Sequence, residues 1–439
     1  MTVVVEFKEF GQPVNVLFGL AGSSAVDGWR CDEAELTVLD ALDRLPWGSR
    51  PADTPAAVRA AGALLREKLA AVPALKKALI DAFAAGAGAP RPLYFRLGVD
   101  PGVEALPFEA LWDDHIETFA CLEPTWPIAR IPADAREPVG PFVMERAVRM
   151  VAVVAAEGVD PAGQVAALRR ACASRPGLPV ELTVLTTSPA VIADVAAAGV
   201  PGLSAEPVPA TAEALVDRLF SMRPHLVHLF CHGTADGPRL LVGQLDDLGV
   251  LDVSAAHFDL AQFGHLAPWL VTLSCCESAA PGEQTVSLAS GLVRAGLPAV
   301  LGMRKPVDAR MADAFCADLY EAVFARLAQI APGGRTVATL DWASLLHQPR
   351  RRLCTVHGAP GDVAGRQKEW TMPVLYVASP TLRLRGRPTA ALDDEAVTRE
   401  LVTVAAADGL EARGNMPADL ADRLRAVALD RLYPGSPGP

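Results

Sequence analysis

The sequence predicts an α/β protein: a mainly parallel sheet covered by helices on both faces, preceded by an α+β region and followed by a short helical tail. Three observations carry that prediction. Apolar runs of β character recur at 148–154, 180–185, 225–231, 269–274, 298–302 and 372–377. Helical spacing falls between most of them, at 161–173, 189–197, 211–221, 286–295, 309–328 and 336–346. The runs are apolar throughout instead of alternating, as in strands buried on both faces, and strands that alternate with helices assemble into parallel sheets.

The remaining elements follow in order. Two short β-rich runs open the chain, 2–7 and 14–18, separated by a Gly-Gln-Pro turn. Between 32 and 83 apolar residues recur at helical spacing (Leu36, Leu39, Leu42, then Val58, Ala61, Leu64, Leu65, Leu69), broken by a Pro/Gly cluster near 46–55. A Gly/Ala/Pro loop at 85–92 leads into strand-like 93–97, and another strand candidate follows Ile116. The segment 132–141, rich in Pro, Arg and acidic residues, is the first expected boundary. Past Pro380 the chain turns polar, with two short helices at 393–406 and 417–431. The expected division is therefore 1–91, 92–140, 141–380 and 381–439.

Composition excludes several classes. The chain has 439 residues, 51% hydrophobic and 21% charged, an ordinary globular balance with room for two or three domains. A net charge of −11 argues against a direct nucleic-acid surface, which would be basic. No polybasic amphipathic stretch reads as a membrane anchor, and Arg294 interrupts the best candidate span, 286–303. The N-terminus lacks the features of a secretory signal, and eight unevenly spaced cysteines without a C-x-x-C do not form a disulfide framework. A reducing cytoplasm is expected. No P-loop, H-E-x-x-H, G-x-S-x-G or strand-borne G-x-G-x-x-G is present. The acidic pairs Asp113/Asp114 and Asp393/Asp394 read as solvated turn or capping residues.

Two apolar strands remain as carriers of chemistry. One ends in Cys231, His232 and Gly233; the other ends in Ser274, Cys275, Cys276 and Glu277. In open parallel sheets ligands bind beyond the carboxyl ends of the strands, so adjacent strands would present an imidazole and a thiol at one edge. A Cys–His nucleophile needs that placement: the imidazole favours the thiolate and later protonates the leaving amine. Gly233, lacking a Cβ, allows its backbone N–H to approach an oxyanion together with the N–H of Cys276. His232 precedes Cys276 by 44 residues, near the spacing of about 50 in caspases.

These segments resemble the CHAT domain, a caspase-like peptidase domain of clan CD. The family's strand ending in His-Gly is matched by residues 227–233, including His228. Its L-S-A-C-E-T-G segment is matched by Leu273-Ser-Cys-Cys-Glu-Ser-Ala279, which aligns the nucleophile with Cys276 and the family's alanine with Cys275. Leu106-Pro-Phe-Glu-Ala-Leu111 resembles L-P-W-E-x-L, residues 288–302 resemble the helix and strand that follow the nucleophile, and Trp370-Thr-Met-Pro-Val-Leu-Tyr376 resembles the closing W-x-x-P-x-x-Y strand. The likeness spans roughly 92–380. Ser278 and Ala279 depart from the family's Thr-Gly, and Arg304 stands where Trp is usual before Pro306-Val307-Asp308.

The resemblance implies a caspase-like fold and a cysteine endopeptidase with His232 and Cys276 as dyad, Gly233 and Cys276 as oxyanion donors, and no metal or organic cofactor. It implies a protein substrate, such as a gasdermin-like pore former, cleaved in bacterial antiphage defence or programmed cell death after a sensor or activator acts. The first 91 residues, as a docking, sensing or pseudo-caspase region, and the tail 381–439 are the expected regulatory parts. In related enzymes the residue two before the nucleophile lines the S1 pocket, and an aspartate there selects basic residues; here it is the uncharged Ser274. Asp236, Asp308 and Arg304 are candidates for pocket charge from neighbouring loops, and Glu277 for orienting the site.

Plainer roles stand beside these. Cys275 points to the opposite strand face from Cys276, so packing is its expected role, as for Cys231. His228 lies on the face of His232, either as core or as its hydrogen-bond partner. A zinc site from His228, His232 and the cysteines is disfavoured, because adjacent cysteines on a strand do not readily ligate one ion. His357-Gly358 reads as a loop turn. The rival functions are a catalytically silent scaffold of the same fold and a hydrolase of small amides or thioesters.

Overall fold

The computed structural model describes all residues except 1–2, 13–14, 22–25, 31, 45–53, 85–90, 99–100, 115–116, 139–140, 235–237, 245–248, 259–266, 282–285, 307–308, 356–368, 389–393, 413 and 435–439. Asp236, Asp308 and His357-Gly358 lie outside the described residues. Twelve strands form one sheet. In chain order they are β1 (Val3–Gln12), β2 (Asn15–Leu20), β3 (Val26–Arg30), β4 (Leu93–Leu97), β5 (Ile128–Pro132), β6 (Val148–Val154), β7 (Val180–Thr186), β8 (Leu203–Pro207), β9 (Leu226–Phe230), β10 (Leu270–Leu273), β11 (Ala299–Met303) and β12 (Pro373–Val377). Their order across the sheet is β8-β7-β6-β9-β10-β11-β12-β5-β4-β1-β2-β3.

The six strands from β8 to β11 are parallel throughout. β12 enters antiparallel to β11 and parallel to β5, and β4 and β1 continue parallel beyond it. Only β1, β2 and β3 close the far edge as an antiparallel meander. The strands on either side of the 132–141 segment thus belong to a single sheet.

Alternating side chains divide the core between two faces. Met150, Ala152 and Val154 of β6 pack with Val165 and Leu168 of the helix Ala162–Ala173, and with Phe315 and Tyr320 of the helix Ala309–Ile330. Val151 and Val153 face the other way, toward Leu215 and Leu219 of Ala212–Ser221 and Leu288 and Leu292 of Leu288–Arg294. Every residue of β9, β10 and β11 is buried, which explains why these strands read as continuous apolar runs.

The expected helix at 336–346 is instead the strand Val337–Leu340, paired antiparallel with Leu382–Arg385, followed by one 3-10 turn, Ala343–Leu346. The β-branched Val337 and Thr339 favour the strand, and a pairing partner more than 40 residues downstream is invisible to local periodicity. No helix among the described residues is long and apolar enough to cross a membrane.

Candidate active site

The sheet topology places the site. From β6 the chain moves outward to β7 and β8, then returns to β9 on the opposite side of β6, so the β6/β9 boundary is a topological switch point. Phe230 of β9 pairs with Val154 of β6, and Leu229 with Leu273 of β10. Carried forward, that register sets Cys231 level with Cys275 and His232 level with Cys276. Just beyond, His232 and Gly233 pair with Leu241 and Leu240 of the strand Arg239–Gly243.

Gly233 packs against the Cys276 backbone: a Cβ built on it would lie 1.7 Å from the Cys276 carbonyl oxygen. Any other residue would push the two loops apart. The sequence singled out this glycine for an N–H contact, and the structure adds a steric reason for it.

The imidazole of His232 is half-buried, with Nε2 2.7 Å from the Glu157 carbonyl oxygen, in the loop after β6. A carbonyl only accepts, so Nε2 carries the proton, and Nδ1 is the nitrogen able to take another. A backbone carbonyl leaves no mark in the sequence, which is why this contact was not foreseen. The Cys276 side chain is half-buried.

His228 lies on the same face but serves the core. Its Nε2 accepts from Gln164 Nε2 at 2.9 Å and its Nδ1 lies 3.3 Å from the Tyr320 hydroxyl. With both nitrogens taken, none is left for His232. Burial pushes its imidazole down to about 3, so it stays neutral. Cys231 and Cys275 belong to the opposite face, as the alternation predicts, and are buried there.

After Cys276 the chain turns sharply. Glu277 has φ 58, a left-handed conformation that costs a non-glycine residue roughly 1–2 kcal/mol. Ser278 holds this turn. Its hydroxyl lies 2.9 Å from the Cys275 carbonyl and 3.2 Å from that of Leu273, and it accepts from the Met303 N–H at 2.9 Å. The Ser278 carbonyl receives the Ala289 N–H at 3.0 Å, and Ala279 packs so closely on Gly302 that a Cβ there would come within 2.9 Å. The Ser-Ala departure is thus accommodated by a buried hydroxyl and a glycine facing the alanine.

The same loop is anchored farther along. Ser287, which caps Leu288–Arg294, donates its hydroxyl to the buried Glu104 carboxylate at 2.5 Å, and the Tyr376 hydroxyl donates to that carboxylate at 2.8 Å. Glu104 escaped sequence reading because its partners lie 183 and 272 residues away.

His232, Cys276 and Ser274 border one cleft of about 100 Å³, walled by Ala156, Val159, Phe230, Met303 and Ala312. A second cleft of about 190 Å³, lined by Glu157, Thr187, Gly243 and Gln244, shares Ala156 and Val159 with the first. Ser274 has its backbone N–H on the Leu229 carbonyl. Arg304 is not on this wall: its side chain is 2% exposed, with Nη1 3.5 Å from the Ala105 carbonyl. Glu277 is half-buried and is not among the lining residues. Among the described residues no group of three or more His, Cys, Asp or Glu side chains is arranged to hold a metal.

Comparison with known proteins yields a family match and several similar structures. Residues 59–338, well over half the chain, match the CHAT domain. No curated protein matches the chain. The Saccharomyces cerevisiae separase–securin complex is similar over 83% of this chain at 12% identity and TM-score 0.36; this chain spans only 21% of the length of that one. The pro- and mature domains of Porphyromonas gingivalis RgpB align over 72% of this chain and 71% of theirs, at 9% identity and TM-score 0.41. The Arg-specific cysteine proteinase gingipain R aligns over 71% and 68%, at 12% identity and TM-score 0.39. The family assignment rests on the match over 59–338: the chain belongs to the CHAT family of caspase-like cysteine peptidases.

Proposed function

We propose that this chain is a cysteine endopeptidase in which Cys276 attacks a peptide carbonyl and His232 takes, then returns, the proton. The observation that carries the reading is the pinning of His232 Nε2 by the Glu157 carbonyl, with His232 and Cys276 bordering one cleft. That bond sets the tautomer with Nδ1 as base, and the Gly233–Cys276 approach keeps the two loops together. The N–H groups of Gly233 and Cys276 are the proposed oxyanion donors.

A protein substrate is favoured over a small amide or thioester by the second cleft, which extends the first along the strand ends and suits an extended chain. Ser274 borders the cleft as the proposed S1 residue. The cellular role we propose, cleavage of a partner protein such as a gasdermin-like pore former in antiphage defence or cell death, is supported by family membership alone. Residues 1–91 and 381–439 are the proposed sites of activator docking.

The test is covalent labelling with peptidyl acyloxymethyl ketones, read by intact mass and peptide mapping. One adduct at Cys276, absent from His232→Ala, is expected. Absence of an adduct in the wild type, or a rate of adduct formation that His232→Ala leaves unchanged, would contradict the reading.

A further inference from the structure

Directly behind the proposed dyad lies a second pair of reactive groups. Cys231 and Cys275 each immediately precede a proposed catalytic residue, and their sulfurs are 3.2 Å apart. The Cys275 thiol donates to the Leu229 carbonyl at 3.2 Å, so the hydrogen between the two sulfurs belongs to Cys231. Both residues are buried and both border the cleft that holds His232 and Cys276. They lie just past the ends of two neighbouring parallel strands, and the Leu229–Leu273 register, carried forward two residues, sets them level.

That placement meets the geometric needs of a disulfide. Adjacent strands lie about 4.8 Å apart, within the range of roughly 4.4–6.8 Å between Cα atoms that a disulfide spans. Closing the sulfurs to about 2.05 Å takes a movement of little more than about 1 Å. The Cys275 contact and burial hold the Cys231 thiol well above its usual range, so only a small fraction is thiolate at any moment and its oxidation is slow.

We propose that Cys231 and Cys275 are a redox-modification site, oxidised by a peroxide to a disulfide that staples the two strands carrying His232 and Cys276. One sulfur, as thiolate, takes an oxygen from the peroxide, becoming a sulfenic acid as hydroxide leaves. The second sulfur displaces hydroxide from it while the S–S bond forms, and the two thiol protons convert both hydroxides to water. Two sulfurs are oxidised, one peroxide is reduced, and a small thiol reverses the bond by exchange. Formation of the disulfide does not depend on the peptidase reading. Its consequence does: drawing the strand ends together misplaces Cys276, and a displacement of about 1 Å at a reacting group costs on the order of 10²-fold in rate.

The experiment treats the full chain, wild type and Cys276→Ala, with hydrogen peroxide, blocks free thiols by alkylation and maps the peptides. A Cys231–Cys275 cross-link in both proteins, removed by dithiothreitol and absent from Cys275→Ala, is expected. Recovery of both cysteines as alkylated thiols, or a cross-link that runs to Cys276, overturns the proposal, and the wild-type map decides this even if Cys275→Ala fails to fold. In parallel, peptide cleavage by the wild type should fall at least tenfold on oxidation and return on reduction. A cross-linked protein with undiminished cleavage overturns the staple's effect. Absence of cleavage before oxidation counts against the peptidase reading and leaves the cross-link result standing.

Discussion

Gly233 shows how one residue links fold to chemistry. Its side-chain hydrogen faces the Cys276 carbonyl so closely that a methyl group would overlap it. Gly233→Ala must therefore move either the His232 loop or the Cys276 loop. Peptide cleavage should fall by about 10²-fold or more while the circular dichroism of the fold persists; unchanged kcat/KM would remove Gly233 from the site. Ser278 is the second such residue. Ser278→Ala deletes a hydroxyl that meets two carbonyls and one N–H, leaving buried polar groups unpaired at a cost of roughly 1–3 kcal/mol. Thermal denaturation should show that loss, and Ser278→Thr should restore most of it. The residue types were legible in the sequence because His-Gly and Cys-Cys-Glu are strand-end patterns. The Glu157 carbonyl, the Ser278 contacts and the burial of Arg304 were not, since each depends on which backbone lies opposite.

Several elements act through buried polar joints. The Pro107-Phe108-Glu109 segment, read as a family motif, holds the Glu109–Arg130 ion pair: Nη2 and a carboxylate oxygen lie 2.6 Å apart with both side chains fully buried. Burial would raise the Glu109 carboxyl, but the Arg130 guanidinium outweighs it and holds the carboxyl below its usual range. Removing one partner strands a buried charge. Glu109→Ala should cost roughly 3–5 kcal/mol in urea denaturation, and a loss under 1 kcal/mol would refute the joint. At this scale the strands 148–154, 225–231 and 269–274 were readable from their unbroken apolar character, which burial on both sheet faces imposes. β8 was missed because an edge strand is only half-buried and shows no apolar run. The strands Arg239–Gly243 and Val250–Ser254 carry no unbroken apolar run from end to end, because they pair with each other and with His232–Gly233 outside the main sheet.

At the scale of the whole molecule, acid sensitivity follows from buried groups on several elements. His228 is held near 3, below its usual 6.5, by burial. The unfolded chain therefore takes this proton first, so the contribution of His228 is complete above about 6.5 and is lost as pH falls toward 3. For Glu145, burial would raise the carboxyl, but hydrogen bonds from Arg149 and His225 hold it at about 2 against the usual 4.5. Its contribution is complete above 4.5 and is lost as pH falls toward 2. Stability should decline first in mildly acid solution, by up to about 1.4 kcal/mol per pH unit from His228. Thermal midpoints across this range test it: His228→Phe should flatten the slope between 6.5 and 4.5, and an unchanged slope would contradict the assignment. The continuity of the sheet from β1 to β12 belongs to this scale too. Strands before and after the 132–141 segment join through the pairing of β12 with β5, and such long-range register leaves no local trace.

The central claim, a Cys276–His232 peptidase, is tested most directly by cleavage of a diverse peptide library read by mass spectrometry, comparing wild type with Cys276→Ala, His232→Ala and Cys275→Ala. The account predicts sequence-selective cleavage by the wild type, at least about 10³-fold loss in Cys276→Ala and His232→Ala, and retained cleavage under reducing conditions in Cys275→Ala. Cleavage that survives Cys276→Ala would contradict it.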